Sequence, residues 1–331
     1  MTDRVNKRTA LLAMLVLGLA AAGCGGGGRD DDEASDTAPF ETSAEGQGLS
    51  GRIQADGSST VGPFTTAAAE RFREVEPEVQ VTVGVSGTGG GFERFCRGET
   101  DLSNASRPIK DEEAKICEDA GIEYVEFQVA NDALTVVVNK DNDWVDCLTV
   151  NQLKKMWEPG SKIGSWNDVD QSFPEEKLSL FGAGTDSGTF DYFTDVIVGE
   201  EGASRSDYSA SEDDNTTVTG VSGEKGGLGY FGFSYFEENQ DTLKALEIDG
   251  GDGCVAPSAE NAQNGTYMPL SRPLFIYAKK ESFAKPEVEA FVQYALDNET
   301  EIAEAAQFVP LTDEQLQKAT SDFEAAVEEA G

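Results

Sequence analysis

The chain contains no histidine. That absence removes Ser-His-Asp and Cys-His nucleophile systems, His-ligated metal centres and the commonest general base near neutral pH. Positive charge is scarce as well, with 25 Lys and Arg against 62 Asp and Glu and a formal net charge of -37. Nucleic acid and anionic lipid surfaces are therefore poor partners for the body of the protein. No Cys-x-x-Cys spacing occurs, which argues further against zinc, and no G-x-x-x-x-G-K-[ST] motif is present to make a P-loop. No metal and no cofactor are expected. The N-terminal uncharged run, Thr9–Gly23, falls short of the roughly 20 residues that a membrane span needs.

What the N-terminus does contain is Arg4, Lys7 and Arg8 ahead of that run, the pattern of a secretory signal over residues 1–23. Ala21-Ala22-Gly23-Cys24 resembles the bacterial lipoprotein signal, in which the cysteine is lipidated and becomes the mature N-terminus. Ala21 stands where that pattern usually has leucine. Gly25–Gly28 and the polar residues that follow make 24–50 read as a tether from a lipid anchor. Cys96, Cys117, Cys147 and Cys254 remain, an even number in an exported chain, so two disulfides are expected. Three connectivities are open, and Cys96–Cys117 with Cys147–Cys254 is favoured because the first pair brackets one compact segment.

From Arg52 onward short apolar runs alternate with amphipathic helical patterns. Seven strands are expected, at Arg52–Ala55, Val79–Val85, Ile122–Val129, Leu134–Asn139, Leu178–Phe181, Leu243–Ile248 and Leu274–Ala278. Between them Phe64, Ala68, Phe72 and Val75 share a helical face, as do Val288, Phe291, Val292 and Ala295, and Thr312 with Gln315 forms a capping box. The class is α/β with mostly parallel sheets. The polar stretch Ser204–Ser222 reads as surface loop. Gly227-Leu228-Gly229-Tyr230-Phe231-Gly232 fits G-x-G-x-x-G but lies outside a clear strand-turn-helix unit, so a dinucleotide site is set aside.

Three Ser/Thr/Gly segments each follow an expected strand and open a helix: Gly57-Ser58-Ser59-Thr60, Ser86-Gly87-Thr88-Gly89-Gly90-Gly91 and Thr185-Asp186-Ser187-Gly188-Thr189. Helix N-termini offer unpaired N–H groups, glycine lets backbone approach, and hydroxyls add neutral donors, which together can cradle an oxyanion. Ser103-Asn104-Ala105-Ser106-Arg107-Pro108 adds a fourth loop, whose Arg107 can grip two oxygens of a tetrahedral anion. Asp186 would repel an anion unless that anion carries a proton, as phosphate does near neutral pH and sulfate does not.

Together these loops, with Gly98–Ile109 and Gly226–Gly232, resemble the PstS-type phosphate-binding lipoproteins of phosphate ABC importers. The resemblance covers the chain from about Gly51 to the C-terminus. It implies a two-lobe, periplasmic-binding-protein-like (type II) α/β fold with a two-strand hinge. Lobe 1 would be 51–130 with 271–331, and lobe 2 would be 131–270. The implied ligands are inorganic phosphate on Ser59, Thr60, Thr88, Gly89 and Ser106 from lobe 1 and Ser187, Gly188 and Thr189 from lobe 2. In the better-known branch an aspartate stands at the position of Arg107 and an arginine at that of Ala183. Here the charges read as exchanged, with Arg107 in lobe 1 and Asp186 in lobe 2. The resulting expectation is a non-enzymatic, extracytoplasmic, lipid-anchored monomer that delivers phosphate to membrane permease subunits. Alternatives are a receptor for sulfate or molybdate, and a secreted phosphatase using Asp186-Ser187-Gly188.

Overall fold

Period-two burial of Ile53 and Ala55 makes Ser50–Gly57 the strand β1, and the chain then turns into α1 (Gly62–Val75), with Pro63 in its first turn. The computed structural model describes residues 48–185 and 187–330, so the signal, Cys24, most of the tether and Asp186 lie outside the described residues. The strand-then-helix alternation repeats as β2 (Glu78–Val83), α2 (Gly87–Cys96), β3 (Leu102–Ala105) and α3 (Asp111–Asp119). Next come β4 (Tyr124–Asn139), β5 (Cys147–Thr149), α4 (Val150–Trp157), α5 (Trp166–Val169), β6 (Ser179–Ala183) and α6 (Gly188–Phe193), which runs on into a π-helical turn over Thr194–Val198. They are followed by β7 (Ser209–Ser211), α7 (Asp214–Gly223), β8 (Gly227–Gly232), α8 (Phe233–Glu238), β9 (Leu243–Ala245), β10 (Glu247–Asp249) and β11 (Cys254–Val255). The chain closes with α9 (Ala259–Gln263), β12 (Ser271–Lys279), α10 (Pro286–Asp297), α11 (Glu299–Ala305) and α12 (Asp313–Ala330).

One sheet runs in the order β2-β1-β3-β12-β4-β8-β6-β7, with β9 also on β4, and a second is β11-β10-β5. Two cores flank it. One gathers Ile53, Phe64, Phe72, Phe127, Leu274, Phe291 and Phe323, and the other Leu134, Val136, Trp157, Trp166, Phe193 and Tyr230. These are the cores of two α/β lobes, and β4, the longest strand among the described residues, contributes to both. β4 pairs with β12 over its first half and with β8 and β9 over its second. Its side chains accordingly change core between Ala130 and Leu134. The antiparallel β4–β12 pair is the two-strand hinge.

Several sequence expectations are revised. The sheet is mixed, because the hinge strands run antiparallel to their neighbours while β1–β2, β1–β3, β6–β7 and β6–β8 are parallel. Most of Ile122–Val129 and all of Leu134–Asn139 belong to one strand, β4, which begins at Tyr124, and Leu243–Ile248 divides into β9 and β10. Ser204–Ser222 holds β7 and most of α7. Asp213 caps that helix by accepting the Asn215 N–H at 3.0 Å, and Thr217 and Val221 bury its inner face. Two buried residues among polar neighbours give too weak a period to read. Gly227–Gly232 is itself a strand, and two of its glycines serve packing: a β-carbon at Gly227 would lie 2.9 Å from the Val221 carbonyl oxygen, and one at Gly229 would lie 2.8 Å from a Val221 methyl of α7.

Cys96 and Cys117 are bonded and tie α2 to α3, while Cys147–Cys254 joins β5 to β11 in the small sheet. Thr312 and Gln315 exchange hydrogen bonds of 3.0 and 3.2 Å in a capping box ahead of α12.

Candidate phosphate site

Four of the loops that follow strands open onto one cavity of about 620 Å3. Ser59 and Thr60 reach it from the β1–α1 turn, Thr88 and Gly89 from the start of α2, Ser106 and Arg107 from the loop after β3, and Gly188 from the start of α6. Ligands gather at the carboxyl ends of strands in open α/β sheets for this reason.

The local geometry explains the glycines. Gly57 has φ +141°, and a β-carbon there would fall 2.2 Å from the Asn104 carbonyl oxygen, so only glycine lets β1 turn against β3. The Ser58 N–H donates to that same oxygen at 2.9 Å. Gly91 is just as constrained, since a β-carbon would lie 2.5 Å from Gly57 Cα. The glycine run of α2 thus lets the helix start lie directly on the first loop. Asp56, buried, accepts from Ser86 Oγ at 2.6 Å and pairs with Arg94, which holds the entry to α2. Thr88 Oγ1 and Ser106 Oγ are 3.0 Å apart, and the Ser106 N–H donates to Thr88 Oγ1 at 3.3 Å.

Arg107 lines the cavity with its guanidinium braced from behind. Nη1 and Nη2 each donate to one Glu113 oxygen at 2.8 Å, and Nη1 also donates to the Pro108 carbonyl at 3.1 Å. Nε and the second Nη2 proton have no acceptor among the described residues. The hydrogen bonds that Arg107 donates to Glu113 raise its pKa above the ordinary value. Burial pushes the Glu113 carboxyl up, but the hydrogen bonds from Arg107 and the Lys110 N–H outweigh it and hold the group below the usual carboxylate range.

On the opposite wall Ser187 caps α6, its Oγ accepting the Thr189 N–H at 3.1 Å. Of that loop Gly188 lines the cavity, while Ser187 and Thr189 stand beside it outside the lining, and Asp186 lies outside the described residues. Asp191, Asp195 and Glu201 also line the wall, against Arg107, Lys110 and Arg272. With three formal charges of each sign among the described residues, that part of the lining has no net cationic excess, and an anion would depend on oriented N–H groups and hydroxyls.

Sequence reading did not single out Arg272 or its partner. Arg272 on β12 stands directly opposite Asp132 on β4, donates from Nε to Asp132 Oδ2 at 3.1 Å and from Nη2 to Thr60 Oγ1 at 3.0 Å, and stacks 3.5 Å from the Tyr192 ring centre. Burial pushes the Asp132 carboxyl up, with Arg272 pulling it back. The available signal was a charge interrupting each of two apolar strand runs, Ala130-Asn131-Asp132-Ala133-Leu134 and Leu270-Ser271-Arg272-Pro273-Leu274.

A two-lobe α/β fold hinged by an antiparallel strand pair, with loops from both lobes on one polar cavity, defines a type II periplasmic-binding-protein class. A family model described as a PBP superfamily domain matches residues 42–299. The chain belongs to that superfamily and, within it, to the PstS/SphX family. It is 49% identical to Protein SphX of Synechococcus elongatus over 274 residues, 82% of this chain and 81% of the relative. It is 39% identical to the phosphate-binding protein PstS of Staphylococcus saprophyticus over 305 residues, 92% and 88% of the two chains. A solved structure described as a possible phosphate binding protein from Planctomyces limnophilus superposes with a TM-score of 0.81 at 45% identity, covering 84% of this chain and 99% of that one. An ABC-type phosphate transport receptor from Vibrio cholerae shares the fold, with a TM-score of 0.61 at 22% identity over 78% and 99% of the chains.

Proposed function

We propose that this protein is a phosphate receptor that captures inorganic phosphate in the cavity by lobe closure and hands it to the permease subunits of an ABC importer. The carrying observation is the convergence of Ser59, Thr60, Thr88, Gly89, Ser106 and Arg107 on one wall with Gly188 on the other. Lobe 1 would comprise 51–130 and 271–331, and lobe 2 131–270. In this reading hydroxyls and the N–H groups at the starts of α1, α2 and α6 surround the anion. Arg107 presents its Nε edge, and Ser187 and Thr189 complete the set on closure. Asp186 accepts a hydrogen bond from the proton of monohydrogen phosphate and leaves sulfate with an uncompensated repulsion. No chemistry is performed on the ligand. Cys24 carries the lipid that anchors the receptor, a monomer, to the cell membrane on its extracytoplasmic side.

Titration calorimetry of the protein without its signal, with phosphate and with sulfate at neutral pH, tests the reading. One phosphate site is expected, with sulfate weaker by about 100-fold or more. Equal affinity for sulfate would refute the role of Asp186, and no phosphate binding would refute the receptor. Incorporation of labelled palmitate into the wild type and its loss in Cys24→Ser, in a bacterial host, tests the anchor.

A further inference from the structure

A guanidinium carries five N–H donors. Arg272 uses one on Asp132 Oδ2 and one on Thr60 Oγ1, and no further hydrogen bond from it reaches a described residue. Its side chain is 17% exposed, and the residue lines the cavity. Three donors of a largely buried cation thus lack a protein acceptor among the described residues, a costly state unless a ligand or water completes it.

The side chain is also held in one orientation from three separate segments. Asp132, 9% exposed on the facing hinge strand, fixes the Nε edge, and Thr60 at the β1–α1 turn takes one Nη2 proton. Tyr192 on α6 covers the flat face, its own hydroxyl tied to the Pro269 carbonyl at 2.8 Å. This arrangement requires arginine. Lysine could not stack its plane, hold the carboxylate sideways and still direct donors elsewhere.

We propose that Arg272 is a direct ligand of the bound anion and that, by touching Thr60 on one side of the cleft and Tyr192 on the other, it links anion capture to closure at the hinge. The proposal rests on the phosphate reading above. Arg272 supplies the charge-assisted donors at the floor of the cleft, while Arg107 grips from its rim. Asp132 is a positioning residue, which keeps the guanidinium from swinging away and offsets its charge when the site is empty.

The test pairs a phosphate-soaked crystal of the wild type with calorimetry on Arg272→Gln and Arg272→Lys. In the crystal an Arg272 nitrogen should lie within about 3.2 Å of a phosphate oxygen. Arg272→Gln should weaken phosphate binding by about 100-fold or more. Arg272→Lys, which keeps the charge and the stem, should weaken it by about 10-fold or more, with the melting temperature of the empty protein little changed. Wild type that binds phosphate with all Arg272 nitrogens beyond about 4 Å of it, or lysine and glutamine variants within about twofold of wild type, would overturn the proposal and leave the receptor reading intact. Should the glutamine variant fail to fold, the crystal contact and the lysine variant decide. Wild type that binds no phosphate would instead remove the reading on which the proposal stands.

Discussion

Gly188 stands against Thr60, so that a β-carbon at position 188 would lie 3.1 Å from Thr60 Oγ1 and 3.4 Å from the Ser59 hydroxyl oxygen and the Thr60 amide nitrogen. The backbone at 188 is not in the left-handed region, so the requirement for glycine there comes from a close approach across the cleft. The start of α6 meets the β1–α1 turn so closely that a β-carbon fits only if Thr60 gives way by a few tenths of an ångström.

Enlarging that residue should therefore obstruct closure before it harms folding. Gly188→Ala should weaken phosphate binding modestly, and Gly188→Val by about 10-fold or more, because a close-packed contact tolerates small shifts and resists branched volume. Calorimetry with parallel thermal melts checks this. A valine variant that binds as tightly as wild type would mean that the Gly188–Thr60 contact is not part of the ligand-bound state.

Arg107 presents a second graded test. Its end-on edge is committed to Glu113, and Nε with one Nη2 proton is left for the anion. Arg107→Ala should cost at least about 2 kcal/mol of phosphate binding, as expected when a charged partner of a buried anion is removed. Arg107→Lys should fall between alanine and wild type, since one ammonium cannot serve Glu113 and phosphate as a bidentate fork does. Calorimetry at two ionic strengths measures both variants, and an alanine variant within about threefold of wild type would rule out a direct contact.

The contrast between Arg107 and Arg272 shows what sequence could reveal. Arg107 sits within Ser103–Pro108, in a loop whose small and hydroxyl residues announce a turn near a ligand, and the other loops are similarly local signals. Arg272 matters only because β12 lies antiparallel to β4 in a register that sets it opposite Asp132, a pairing 140 residues apart. Periodicity finds β12 as a strand and β4 as two pieces, but which strands pair, and in what register, depends on contacts far apart in sequence. The same limit hides α7, whose inner face is only Thr217 and Val221, and the short strands β5, β7 and β11, which exist because neighbours supply their partners.

The two disulfides close loops of different size, with sequence separations of 21 and 107 residues. If a cross-link acts chiefly by restricting the unfolded chain, its contribution grows with the logarithm of that loop, to about 3 kcal/mol for the shorter and nearly 5 kcal/mol for the longer. Cys147→Ser/Cys254→Ser should therefore lower the denaturant midpoint more than Cys96→Ser/Cys117→Ser. The reverse order would point to native-state packing around Cys96 and Cys117, both buried beside Phe92 and Phe95, as the larger effect.

Glu299 makes stability depend on pH near neutrality. It opens α11, is 1% exposed, and its carboxyl accepts the Leu311 N–H at 2.9 Å. Burial pushes its pKa up to about 7, only partly opposed by that hydrogen bond. The folded protein thus holds this proton more tightly than the unfolded chain, whose glutamate titrates near its ordinary value of about 4.3. Between these two values the folded state binds more protons, so its stability falls as pH rises, and the loss is complete once the pH exceeds the folded value. A shift of this size corresponds to about 4 kcal/mol. Glu299→Gln keeps a carbonyl acceptor for Leu311 and cannot ionise. Relative to wild type, its melting temperature should therefore rise as the buffer moves from pH 5 to pH 8. A difference between variant and wild type that stays constant over this range would mean that Glu299 does not titrate there.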